Sequence, residues 1–301
     1  GISMASLHWD TLFTNFRKRI PDSIYHHGVK VIDVQLNEGN AGQITLESGE
    51  KQRFDLIVFA DGVQSIGRAL ISDVQPEYSG YVAWRGTLEF ERIKDKTLFN
   101  DQGLYYCFDK GHLLTYPVYH HQTNKLNWVF YEKLARTDLE DLGSTSVNDF
   151  SIKAKQHLYQ LAQDNLPEAA AQIIFDTPAP FMQNIVDVCV NRLATQGALL
   201  LGDASAILRP HVGNGASLAI QDALSLREHF ETYEDIQQAI SAWEKDALPK
   251  RLAMYDLSKR MADALVLHPV AWQEMDESKM QVWWEQIILG EKWYTTHPQK
   301  S

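Results

Sequence analysis

The stretch that most constrains this 301-residue chain runs from Gly197 to Arg227, GALLLGDASAILRPHVGNGASLAIQDALSLR. Ala198 to Leu201 are consecutive apolar residues bounded by glycines, which predicts a short strand covered on both faces. Gly202 and Asp203 follow at the carboxyl end of that strand, where open α/β sheets place ligand contacts. A loop through Pro210 leads to a helix opening near Gly213, because Ala216, Ala219, Ile220, Ala223 and Leu224 recur at helical spacing. Gly213, Asn214, Gly215, Ala216 and Ser217 keep bulky side chains away from the start of this helix. A flat ligand can therefore approach the backbone, where free amides and the helix dipole favour negative charge. A carboxylate at Asp203 suits the hydroxyls of a polyol such as ribose or ribitol. As shape alone, an ordinary strand–loop–helix with a glycine-rich entry accounts for the stretch better.

A second stretch, FADGVQSIGR, closes the apolar run Phe54 to Ala60, which predicts a buried strand. Asp61-Gly62 allows a tight turn near a phosphate, and Arg68 offers a planar fork for a carboxylate or pyrophosphate. A strand-ending turn with a solvated arginine is the plainer alternative.

Composition narrows the class. The apolar fraction of 45% and charged fraction of 22% are those of a soluble globular protein. A net charge of −11 without a basic patch argues against a nucleic-acid surface. Cys107 and Cys189 lie far apart with no metal-ligand spacing, which reads as two free thiols in a reducing, cytoplasmic setting. No apolar run approaches the roughly 18 residues of a membrane span.

Ser6 is placed to cap a first helix whose Trp9, Leu12, Phe13, Phe16 and Ile20 share one face, ended by Pro21. Val29–Leu36 and Gln43–Glu47 alternate around Asn37 to Asn40 as a β-hairpin. Tyr78–Phe90 predicts a strand with Tyr81, Ala83 and Arg85 on one side and Val82, Trp84 and Gly86 on the other. Strands at 105–108, 113–119 and 126–131, with turns at 109–111 and 121–125, complete an antiparallel sheet. Its aromatics fill space between sheet and helices, or line a pocket for a flat ring. Arg85, Tyr116 and His211 are candidate polar contacts for such a ring. Arg85 is equally a sheet-face ion pair, and His211 equally a loop residue bonded to backbone. Leu139–Val147 reads as a polar connection, followed by helices at 149–161 and 168–174 and a returning strand at 181–191. Amphipathic helices around Pro249 should turn Trp243, Leu248, Leu252, Tyr255 and Leu257 inward. The tail from His268, with Trp272, Trp283, Trp284 and Trp293, packs on the body or offers a partner surface.

Gly202-Asp203-Ala204, Arg209-Pro210-His211 and Gly213-Asn214-Gly215 together resemble the second flavin motif of the FAD-dependent aromatic hydroxylases, the para-hydroxybenzoate-hydroxylase-like monooxygenases. The RPH-x-G-x-G form is most similar to the branch containing 2,6-dihydroxypyridine 3-hydroxylase, as are the segments AWRG and LNWVFY. Asp61, Gly62, Ser65 and Arg68 match the family's D-G-x-x-S-x-x-R motif, with Phe59 in place of a usual glycine. The resemblance implies FAD held by Asp61, Gly62, Arg68, Gly202, Asp203, Pro210, Gly213, Asn214 and Gly215. It implies NADH or NADPH as co-substrate, and O2 added to a small hydroxylated aromatic or N-heteroaromatic ring through a flavin hydroperoxide, with His211, Arg85 and Tyr116 at the ring. A small aromatic substrate is thus the expected partner, and a homodimer is left open.

The implied fold is a mixed α/β one. Residues 1–77 and 181–267 form a doubly wound FAD-binding domain, 78–180 an antiparallel substrate domain and 268–301 a helical tail. The chain contains no G-x-G-x-x-G, which the nucleotide-binding unit of this class carries. The expectation is a chain that starts downstream of the first βαβ unit. The alternative function is a catalytically incomplete flavin-fold fragment, or half of a two-chain assembly.

Overall fold

Period-two alternation on one long strand divides the core of the molecule. The computed structural model describes residues 9–36, 42–96, 103–119, 124–143, 145–146 and 149–290. The capping residue Ser6, the turn 37–40, most of the 121–125 turn and Trp293 lie outside the described residues.

The chain opens with α1 (Trp9–Arg17), then an antiparallel meander of β1 (Val31–Leu36), β2 (Gly42–Leu46) and β3 (Lys51–Phe54). β4 (Ile57–Phe59) and α2 (Arg68–Ile71) follow. The apolar stripe of α1 falls on one face as expected, yet Trp9, Phe13, Phe16 and Ile20 are all exposed. The buried strand expected over 54–60 is corrected. Phe54 ends β3 and is exposed, and β4 keeps three residues of which only Phe59 is buried. Among the described residues β4 is an edge strand with a single, parallel partner, so its Val58 stays exposed.

β5 (Glu77–Glu89), β6 (Leu104–Phe108), β7 (Gly111–Tyr119) and β8 (Asn124–Lys133) precede α3 (Arg136–Asp141), β9 (Thr145–Ser146) and β10 (Asp149–Phe150). The supposed polar connection after Leu139 is thus partly helical and partly paired as a small ribbon. α4 (Ile152–Asn165), capped by the Ser151 hydroxyl, and α5 (Glu168–Phe175) lead into β11 (Phe181–Cys189). β12 (Ala194–Thr195), β13 (Ala198–Leu200) and β14 (Ala206–Ile207) are short. Six strands form one antiparallel sheet in the order β14-β11-β5-β8-β7-β6, and β12-β13-β4 form a second.

Alternation on β5 holds. Val82 and Trp84 pack with Trp128, Phe130, Leu158 and Ile174 under α4 and α5. Tyr81 and Ala83 face the opposite side, with Val129, Tyr131, Met261, Trp283 and Ile287. A separate core joins Val34, Phe59, Leu199, Leu200, Ile240 and Trp243.

α6 (Gly215–Thr232) and α7 (Ile236–Ala262) pack together. α7 continues unbroken past Pro249, whose exposed position leaves the displaced carbonyl to water. Leu252, expected inward, is exposed, and the neighbouring Arg251 is buried in its place. A π-helical turn over Asp263–Leu267 ends this segment, and α8 (Glu277–Leu289) lays Trp283 and Ile287 on the sheet. The described part of the Trp-rich tail is therefore packing on the body. No helix among the described residues is long and apolar enough to cross a membrane.

Candidate active site

Both glycine-rich turns leave the same parallel strand pair. β13 is wholly buried and pairs with β4, Leu199 opposite Val58, so Asp61-Gly62 and Gly202-Asp203 emerge side by side at the carboxyl ends. Arg68 ties them together. Its Nε donates to Ala204 O at 2.9 Å, Nη1 to Val63 O at 2.8 Å, and Nη2 to Gly62 O at 3.1 Å and Asp203 O at 3.2 Å. The fork expected to take a carboxylate or pyrophosphate is thus spent on four backbone carbonyls, with the side chain buried. Arg68 shapes the turns. Asp61 closes its own turn by accepting the Ile66 amide at 2.9 Å. Gly62 sits at φ +78°, and a Cβ there would meet nothing within 4 Å. The departure at Phe59 has a local remedy: a Cβ on Gly67 would fall 2.1 Å from the Phe59 ring, so the ring occupies space a side chain would need.

Asp203 lies on a 3-10 turn, exposed, and its carboxylate makes no hydrogen bond or ion pair with the protein. A Cβ on Gly202 would lie 3.4 Å from Ala219 Cβ, which places α6 directly against this turn. The loop before α6 folds as a 3-10 turn over Pro210–Val212, closed by the Gly213 amide donating to Pro210 O at 2.9 Å. Gly213, at φ +61°, and Gly215 both face open space. No side chain caps the first-turn amides of α6, since Asn214 turns its amide toward Met254 Sδ. An unpaired carboxylate, three open glycines and an uncapped helix start make a cradle suited to a flat polyol-bearing anion.

Two further arginines fix the cradle. Arg251, buried on α7, pairs with Asp222 of α6 and donates to Ser205 Oγ at 2.5 Å, which in turn donates to Gly202 O at 2.6 Å. Arg209 grips Asp187 through two bonds of 2.8 and 2.7 Å and reaches Asp263 at 2.9 Å. It anchors the Pro210 loop to β11 and the end of α7.

The ring candidates meet on one face of the large sheet. In its register Tyr116 pairs with Asn127, His112 with Tyr131 and Arg85 with Val129, so these side chains share a face. His211 arrives from the loop, its ring 4.4 Å from Tyr131, 5.3 Å from His112 and 5.7 Å from Tyr81. Burial lowers the His112 pKa to about 4, with the Leu265 backbone partly opposing. Burial, then His112, Arg209 and Arg85, push His211 well below its ordinary value. Both imidazoles are neutral at pH 7. Burial raises Tyr116 and Tyr131, against the opposing charge of Arg85. Among the described residues Tyr81 OH, Arg85 Nε and His211 Nε2 are buried without a hydrogen-bond partner, while His112 lies near the Leu265 backbone and Asn127 Nδ2 near the Tyr116 hydroxyl, each short of good hydrogen-bond geometry. A hollow of about 540 Å³ beside α1 shares none of this lining.

A sequence-family profile described as FAD binding domain-like matches residues 78–187, the span from β5 into β11. The chain is 28% identical over 292 residues to 2,6-dihydroxypyridine 3-monooxygenase of Paenarthrobacter nicotinovorans, covering 88% of this chain and 72% of that protein. It is 25% identical to 6-hydroxynicotinate 3-monooxygenase of Pseudomonas fluorescens, covering 75% of this chain and 57% of that relative. The solved 2,6-dihydroxypyridine-3-hydroxylase from Arthrobacter nicotinovorans superposes with a TM-score of 0.80 at 25% identity, over 85% of this chain and 69% of that one. The chain is a homologue of the FAD-dependent aromatic hydroxylases.

In this hydroxylase-like chain, motif spacing points to the two turns that Arg68 stitches together but gives no sign of half of the polar groups on the sheet face. His112, Tyr131, Tyr81 and Asn127 were not singled out, although His112 falls on the same alternation as Tyr116, four residues on. That alternation was the available signal. The roles of Arg209 and Arg251 had none, because their partners Asp187, Asp263, Asp222 and Ser205 are distant in sequence.

Proposed function

We propose that this chain binds FAD between the Asp203 turn and the start of α6, and hydroxylates a small hydroxylated aromatic or N-heteroaromatic ring using NADH or NADPH and O2. The observation that carries this reading is the joint placement of the two glycine turns, stitched by Arg68, in front of an uncapped helix start. Asp203 would accept hydrogen bonds from the ribitol hydroxyls, and the free first-turn amides of α6 would favour negative charge on the flavin ring system. Asp61, Gly62 and Pro210 hold the turns that leave the backbone accessible, with Arg68 as their brace. When bound, FAD supplies the redox chemistry, taking electrons from the nicotinamide and activating O2. Arg85 and Tyr116 orient the substrate ring and favour its phenolate. His211, Tyr81 and Tyr131 keep water from the reacting edge.

Titrating the purified chain with FAD and following flavin fluorescence tests the reading. Binding is expected, with Asp203→Ala weakening it roughly tenfold for the lost hydrogen bonds. Because Asp203 has no protein partner, the melting temperature of the unliganded variant should not move. A folded wild-type chain that stays colourless with excess FAD sinks the proposal. That outcome favours a second reading, a part of a two-chain assembly that is incomplete alone. The exposed Val58 of β4, an edge strand among the described residues, and the exposed apolar stripe of α1 support it, since parallel strands are ordinarily covered on both faces.

A further inference from the structure

Three buried polar side chains meet where α6, α7 and the turn after β13 come together: Asp222, Arg251 and Ser205. An ion pair sealed from water is a poor way to stabilise helix packing, because apolar side chains of similar volume serve as well or better. What this pair adds is direction. A guanidinium can only donate. Ser205 Oγ therefore accepts Arg251 Nη1 at 2.5 Å and sends its single proton to Gly202 O at 2.6 Å. The Ser205 amide donates to the same carbonyl at 3.0 Å. Gly202 sits at φ +56°, and without a Cβ it lets the adjoining peptide turn over at little cost. Two bonds on its carbonyl hold the Gly202–Asp203 peptide in one orientation. Arg68 holds the next two carbonyls, Asp203 O and Ala204 O. The other arm of Arg251 fixes α6. Its Nη2 pairs with the Asp222 carboxylate, on the helix that opens at Gly215, and Trp243 Nε1 of α7 donates to Asp222 O at 3.2 Å. One guanidinium thus spans both halves of the cradle.

We propose that Arg251 is a positioning residue for FAD: through Ser205 it orients the Gly202–Asp203 peptide, through Asp222 it sets where α6 starts, and so it fixes how the two elements that clasp the cofactor face each other. This rests on the FAD-binding reading above and adds to it a residue that touches no ligand. Arg251 is buried on α7, and its two bonded partners stand between it and the cradle. Its contribution is to cofactor geometry more than to stability, since the fold needs the volume of the pair but the turn needs its direction.

Three measurements test it together: fluorescence titration with FAD, visible circular dichroism of the bound flavin, and the melting temperature of the unliganded chain. Arg251→Met combined with Asp222→Leu replaces the pair by apolar side chains of similar size, so the melting temperature should hold. FAD should nonetheless bind roughly tenfold more weakly, with an altered visible band. Ser205→Ala leaves the ion pair intact and should reproduce a large part of that loss. Because both changes break one relay, the three substitutions together should cost less than the product of the separate losses. Wild-type affinity and a wild-type flavin band in Ser205→Ala overturn the proposal while the FAD reading stands, and this variant decides alone if the double one does not fold. Losses that multiply in the combined variant overturn it too. So do losses that appear only where the melting temperature falls, which assign Arg251 to packing. No FAD binding by the folded wild type overturns both readings.

Discussion

The two faces of the six-stranded sheet come from alternate residues of the same strands, yet they treat buried polar groups in opposite ways. Under α4 and α5, Trp84 Nε1 donates to Glu132 at 2.9 Å, Glu132 also meets His157 Nε2 at 2.8 Å, and Trp128 Nε1 donates to Thr177 at 2.9 Å. Thr115 Oγ1 is unsatisfied on that side. On the ring face unsatisfied groups cluster around His211 and Arg85 beside His112, with Trp283 Nε1 of α8 a further one. Folding avoids burying a polar atom without a partner, since each costs about 1–3 kcal/mol. A patch of them lowers stability, and the partnered face is where it has been kept.

The comparison is easiest to break with mutations at matched positions of β5. Trp84→Ala should destabilise by about 3–5 kcal/mol in denaturant unfolding, because it opens a cavity and strips Glu132 of a donor. Tyr81→Phe, three residues earlier on the other face, removes an unsatisfied hydroxyl and should change stability by less than about 1 kcal/mol, or raise it. If Tyr81→Phe proves as damaging as Trp84→Ala, the distinction between the faces fails.

A smaller effect separates the faces by pH. His112 is depressed to about 4 in the fold, so the unfolded chain binds more protons as pH drops below about 6.5. Stability should therefore fall between pH 6.5 and 4, by on the order of 3 kcal/mol from this residue, and His112→Phe should flatten that slope. His211, also depressed, acts in the same direction. His157 has the opposite sign. Its hydrogen bond to Glu132 raises its folded pKa, so the stabilisation is full below about pH 6.5 and is lost as pH rises through the folded value. His157 is about a third exposed, and screening makes this the smallest of the effects, a shallow loss on the alkaline side that His157→Gln should abolish. Melting temperatures from pH 4 to 8 for the two variants check both signs.

Much of the local structure was legible in the sequence. The alternation of Tyr81 to Gly86, the buried run at Ala198, the helix start after Gly213 and the hairpin around residues 31–46 all follow from spacing and turn chemistry, which act within a few residues. The open backbone at Gly62, Gly213 and Gly215 belongs with them, since a missing side chain is visible in the sequence itself. Arg68 was placed in the right motif with the wrong target, because the sequence shows a fork but not which acceptors it reaches.

Long-range contact alone decided the rest. Arg68 meets carbonyls 135 residues away, Arg251 meets Asp222 across two helices, and His211 meets His112 only because the loop closes over the sheet. The sequence by itself determined where missing side chains leave the backbone open, at Gly62, Gly213 and Gly215. The tertiary structure decided which polar groups are consumed in bracing those turns and which are left short of a protein partner. Spacing encodes which face a residue points to, but a hydrogen bond is satisfied or orphaned only when distant segments come within 3 Å or so of each other.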